Sequence, residues 1–140
     1  MSAALLVIDM QNAYCHPRGA LAQAGASIEP MQAVIPRVRE LIHACRGAGT
    51  PVIWALMEQS AVDTRRRAVP AHMQARRALP LCLKGSWDAE IVAELKDEVA
   101  EADHVVRKPE YSAFYNTDLE DRLRKLGASD LVVCGVASNV

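Results

Sequence analysis

Neither sign of charge is in excess. Against 16 Lys and Arg stand 17 Asp and Glu, so no whole-molecule field invites nucleic acid or an anionic membrane. The expected partner is a small molecule. Membrane-length apolar runs are also missing, and the opening Met1 to Ile8 is too short for a signal peptide and is broken by Asp9. The expected location is the cytoplasm, with no membrane and no nucleic acid as partner. No C-x-x-C pair occurs; Cys15, Cys45, Cys82 and Cys134 are widely spaced and read as reduced thiols. Repeats, low-complexity segments and interdomain linkers are lacking, which leaves residues 1–140 as a single domain. No G-x-G-x-x-G follows the first apolar run, so the dinucleotide fingerprint is excluded. His16, His43, His72 and His104 lack the close spacing of metal ligands, and no metal is expected.

What is there is a chain 51% hydrophobic and 24% charged, enough to bury one core. Ala3 to Ile8 is apolar without alternation, the pattern of a strand covered by helices on both faces of a parallel sheet. Met31, Val34, Ile35, Val38, Leu41, Ile42 and Cys45 then recur at helical spacing, with Pro36 interrupting and Gly47 and Gly49 stopping the pattern. Pro51 to Leu56 reads as a second strand, and strand, helix, strand makes a right-handed βαβ unit. Met57 to Lys84 is irregular, carries Arg65, Arg66, Arg67, Arg76 and Arg77, and has the length of a lid. Those arginines suit a substrate carboxylate or simply a solvated face.

Asp88 to Glu101 reads as a helix presenting Ile91, Val92, Leu95 and Val99, followed by a short strand at His104 to Val106 that runs into Arg107 and Lys108. Thr117-Asp118-Leu119-Glu120 has the form of a capping box for a helix burying Leu119, Leu123 and Leu126 and ending at Gly127. Leu131 to Val136 reads as a buried fourth strand, with Ala137-Ser138-Asn139 opening a helix. Four parallel strands bring Asp9, Lys108 and the turn after Val136 to one edge of the sheet, where doubly wound folds gather their functional groups. An ammonium and a helix start favour a negative charge there, and a carboxylate can move a proton. Each also has a structural reading, Asp9 as a loop cap and Lys108 as a solvated strand end.

Five stretches resemble the isochorismatase-like cysteine hydrolases: V-I-D-M-Q-N (Val7 to Asn12), G-T-P-V-I-W (Gly49 to Trp54), G-S-W-D-A-E-I (Gly85 to Ile91), R-K-P-E-Y-S-A-F-Y-N-T-D-L (Arg107 to Leu119) and C-G-V-A-S-N-V (Cys134 to Val140). The resemblance implies an α/β class, a Rossmann-like three-layer α/β/α architecture whose parallel sheet has order 3-2-1-4-5-6. It implies Asp9 and Lys108 as two members of a catalytic set whose third member, a cysteine, falls at residue 141. The chemistry implied is cofactor-independent cleavage of a C–N bond in a small carboxamide or ureide through a thioester. An oxyanion site would use the amides of Ala137 and residue 141, with a cis peptide between Val136 and Ala137. Asn12, Tyr111, Phe114 and Tyr115 are placed as substrate-binding residues, although an aromatic run near a helix start serves packing equally well. The Asp-x-His metal pair of the nicotinamidase branch has no counterpart in Leu56-Met57-Glu58, and homo-oligomers are common in the family.

Strands 5 and 6 of that order have no counterpart in these 140 residues, and an apolar strand 4 left as a bare edge is an aggregation site. The expectation is a fragment whose full chain continues through residue 141. Two other readings stay open: isochorismatase-type vinyl ether hydrolysis, which uses no cysteine, and a noncatalytic binding module.

Overall fold

The computed structural model describes residues 2–61 and 81–137. Its centre is a four-stranded parallel sheet built from β1 (Ala3–Ile8), β2 (Val52–Met57), β3 (His104–Lys108) and β4 (Asp130–Gly135), in the order β3-β2-β1-β4. Branched and aromatic residues on both faces of β1 and β2 make these strands, and both are covered by side chains from either side. On one face Leu5, Val7, Trp54 and Leu56 pack against Ile35, Val38 and Ile42 of the long helix α3 (Glu29–Gly47). On the other face Ala4, Leu6, Ile53, Ala55 and Val106 pack against Leu119 and Leu123. This is the three-layer α/β/α arrangement.

Helix α3 runs through Pro36, which removes one backbone donor without ending the helix, because the first turn is set earlier at Pro30. Before it lie two single-turn helices, α1 (Asn12–Cys15) and α2 (Ala20–Gln23). Among the described residues no helix is long and apolar enough to cross a membrane.

Four expectations change. The stretch from Asp88 to Glu101 is not one helix: a 3-10 turn at Trp87–Ala89 is followed only by α4 (Ala93–Lys96). The reason is competition for the backbone. Asn12 donates its N–H to the Glu90 carbonyl at 2.9 Å and Val92 donates to the Met10 carbonyl at 3.1 Å, so residues 90–92 bond to the strand-1 loop instead of to a helical ladder. Val92 and Leu95 are buried all the same.

The capping box is incomplete. Helix α5 (Leu119–Leu126) starts late, so Thr117 Oγ1 accepts from the Leu119 amide at 3.3 Å while Glu120 is too near the first turn to reach back and pairs with Arg124. Its other end is as expected, with Gly127 in the left-handed region at φ 66°.

Strand β4 is parallel to β1 but not buried: Leu131, Val132 and Val133 are 36%, 41% and 58% exposed. Among the described residues its only strand neighbour is β1, and α5 lies over the inner strands instead.

Finally, the peptide between Val136 and Ala137 is trans, as are all peptides among the described residues. A non-proline cis bond costs about 3 kcal/mol and needs surroundings that enforce it. The chain turns here by placing Ala137 at φ 60°. Arg65 to Arg77 lie outside the described residues, as do positions 62–80 of the expected lid and Ser138 and Asn139 at the expected helix start.

Candidate active site

Parallel register sets Ile8 against Ala55 and Gly135, and Met57 against Lys108, so the carboxyl ends of all four strands lie along one edge. Asp9 is the first residue past β1. Its N–H still donates to the Ala55 carbonyl at 3.0 Å, but its φ of 56° turns the chain sharply, a conformation aspartate tolerates better than most residues. This turn aims the carboxylate toward β3.

There Lys108 Nζ donates to Asp9 Oδ2 at 3.0 Å, and Nζ also lies 3.3 Å from the Tyr111 carbonyl. Lys108 is 1% exposed and Asp9 5%. Neither is a solvated side chain. The second carboxylate oxygen, Oδ1, is buried without a hydrogen-bond partner. Burial pushes the Asp9 carboxyl above the usual aspartate range, and this outweighs the attraction and hydrogen bond of Lys108 and the smaller backbone contribution of Met57, which act in the other direction. A basic carboxylate oxygen with an open valence, next to an ammonium, is suited to accept and return a proton.

A residue that sequence reasoning passed over supports this turn. Gln11 is fully buried, donates Nε2 to the carbonyls of Met57 and Ala89 at 2.9 Å each, and accepts from the Met57 N–H at 2.8 Å. It ties the end of β2 to the loop that follows β1. Replacement by leucine strands three buried backbone groups, so Gln11→Leu is expected to cost about 3 kcal/mol, read as a lower urea midpoint at unchanged slope. A loss below about 1 kcal/mol would mean that water takes over these bonds.

The expected binding residues divide. Asn12 is buried and donates Nδ2 to the Trp87 carbonyl at 2.9 Å, so its amide nitrogen holds the 3-10 turn in place. Tyr111, Phe114 and Tyr115 are 46%, 51% and 56% exposed. They are not core packing, which Ala113 and Leu119 supply from the same segment. Val136 donates its N–H to the Ile8 carbonyl at 3.2 Å, which keeps the chain beside Asp9 as β4 ends.

Cys15, Cys82 and Cys134 are poor nucleophiles. Burial, helped by the nearby Asp9 charge, pushes Cys15 and Cys82 up to about 12, and burial raises Cys134 to about 11. All three are protonated at neutral pH. Among the described residues no three His, Cys, Asp or Glu side chains form a group that could hold a metal ion.

Comparison with known proteins places this geometry among relatives. The model of the Isochorismatase domain family matches residues 3–140. The ureidoacrylate amidohydrolase RutB of Methylobacterium radiotolerans is 38% identical over 154 residues, covering 97% of this chain. The chain spans 57% of that relative's length. Among solved structures, an isochorismatase family protein from Desulfovibrio vulgaris superposes with a TM-score of 0.78 at 30% identity, over 96% of this chain and 67% of its own. N-carbamoylsarcosine amidase from Thermoplasma acidophilum does so with a TM-score of 0.73 at 28% identity, over 96% and 68% respectively.

Proposed function

Because this chain belongs to the isochorismatase domain family, we propose that it hydrolyses a C–N bond of a small carboxamide or ureide, with a cysteine at residue 141 as nucleophile and no cofactor. The observation that carries the reading is the buried Asp9–Lys108 pair at 3.0 Å with one carboxylate oxygen unpartnered. The named activities of the ureidoacrylate amidohydrolase and the N-carbamoylsarcosine amidase support the substrate class.

In the proposed cycle Asp9 takes the proton from the thiol, and the thiolate, held near the Lys108 ammonium, attacks the carbonyl carbon. Backbone amides of Ala137 and residue 141 would receive the oxyanion. As the C–N bond breaks, Asp9 returns its proton to the leaving nitrogen and a thioester remains. Asp9 then takes a proton from water, hydroxide adds to the thioester, and the acid leaves as the thiol is re-formed. The pair is buried, so both its charges act at low screening.

The test uses the full-length protein. Brief iodoacetamide treatment followed by peptide mass spectrometry is expected to label residue 141 first and to abolish ammonia release from ureides. Cys15 and Cys82 should stay unlabelled, because they are buried and protonated. Unimpaired turnover after complete alkylation, or a residue other than cysteine at 141, would end the thioester mechanism.

A further inference from the structure

The loop His16-Pro17-Arg18-Gly19, between α1 and α2, meets a residue seventy positions away. The Arg18 guanidinium carbon lies 5.5 Å from the Trp87 ring centroid, and the His16 ring meets the same indole edge-on at 4.8 Å between centroids. Two constraints hold the loop there. Arg18 donates its backbone N–H to His16 Nδ1 at 3.0 Å, and Gly19 passes so close to the Asn12 carbonyl that a Cβ would sit 2.0 Å from its oxygen.

Arg18 and Trp87 line an open surface hollow of about 380 Å³. Trp87 is 41% exposed toward solvent, and its carbonyl is the group held by Asn12, three residues past Asp9. Trp87, one side of the hollow, is thus fastened to the strand-1 loop. Among the described residues no carboxylate pairs with Arg18. A guanidinium held within cation–π distance of an indole keeps its five N–H donors, and a guanidinium can receive a carboxylate with two parallel hydrogen bonds.

We propose that Arg18 and Trp87 form the subsite for a carboxylate on the substrate, so that the enzyme selects anionic amides or ureides over neutral ones. The proposal deepens the hydrolase reading and rests on it for the reaction, but not for the binding. Trp87 orients the guanidinium, and Arg18 supplies the charge.

The full-length protein is assayed with 3-ureidopropionate and with neutral propylurea, before and after Arg18→Gln. The loss is expected to fall on 3-ureidopropionate, about tenfold to a hundredfold in KM with kcat nearly kept, and to be several-fold smaller for propylurea. Arg18→Lys should recover part of it, since charge returns without the fork. Tryptophan fluorescence titration with 3-ureidopropionate gives Kd without turnover, and the response should vanish in Trp87→Phe. Equal losses on both ureides, or a Kd indifferent to Arg18→Gln, overturn the subsite while leaving the hydrolase standing. An Arg18-dependent Kd with neither ureide cleaved keeps the subsite and removes the reaction.

Discussion

Lys108→Met is expected to slow hydrolysis by the full-length protein on the order of 10²–10⁴-fold and to cost about 3–5 kcal/mol of stability near neutral pH. Lys108 is the only ion-pair partner of Asp9 among the described residues, and both are buried. Removing it leaves a carboxylate desolvated and unpaired, which is far worse than removing the whole pair. The pH dependence follows from the direction of the Asp9 shift. Burial already holds this carboxyl above its ordinary range, and of the three effects that lower it the two largest, the charge of Lys108 and its hydrogen bond, vanish in the variant while the backbone contribution of Met57 stays.

A group whose folded pKa is raised contributes stability that is complete below the unfolded pKa and is lost as pH rises through the folded value. The variant should therefore be near wild type in acid and progressively weaker as pH rises, while the acid limb of its residual kcat/KM moves upward. The double variant Asp9→Asn/Lys108→Met separates the two roles. It should regain most of the stability, since no charge is left buried, and regain none of the activity. Urea unfolding across pH reads the first and ammonia release the second. A Lys108→Met protein as stable as wild type at high pH would show that the buried pair does not depend on its ammonium.

Gly135→Ala is the second large effect, at about 3–5 kcal/mol. Gly135 ends β4 with φ 132°, a conformation L side chains rarely adopt, and a Cβ there would lie 2.0 Å from the Ile8 carbonyl oxygen. The obstacle is backbone, not the tip of a flexible side chain. Relief requires β4 to move off β1 at the end where Val136 bonds to Ile8 and where Asp9 begins. Activity should fall with stability. The comparison that isolates the clash is Gly127→Ala, whose position has φ 66° but nothing within 4 Å of a Cβ, so that only backbone strain of about 1 kcal/mol is added. Matching urea midpoints for the two variants would show that the strand end yields without cost.

These effects meet at positions that differ in how visibly they are written. Asp9 and Lys108 stand at the ends of apolar runs, and runs of that kind become strands of a parallel sheet, so the edge they share follows from pattern and handedness rules. Gly127 and Gly49, both at positive φ, stop helices as their residue type suggests. Gln11 carries no such sign. A glutamine between a strand and a helix is ordinarily solvated, and only its two partners at residues 57 and 89 make it a buried strut. The misread helix at Asp88 to Glu101 has the same origin: the apolar spacing there is real, but backbone bonds to Met10 and Asn12 claim the groups a helix needs.

What the sequence determined by itself is local and periodic: four strands, their parallel pairing, the long helix with its buried face, and the two charged residues at strand ends. These follow because apolar spacing, glycine stops and crossover handedness act over short stretches of chain. Tertiary structure alone decided that Asp9 and Lys108 touch, that Oδ1 is left without a partner, that β4 stands exposed beside β1, and that Arg18 lies over Trp87. Each of those depends on a contact between segments distant in sequence, whose desolvation and hydrogen bonding exist only once the chain has packed.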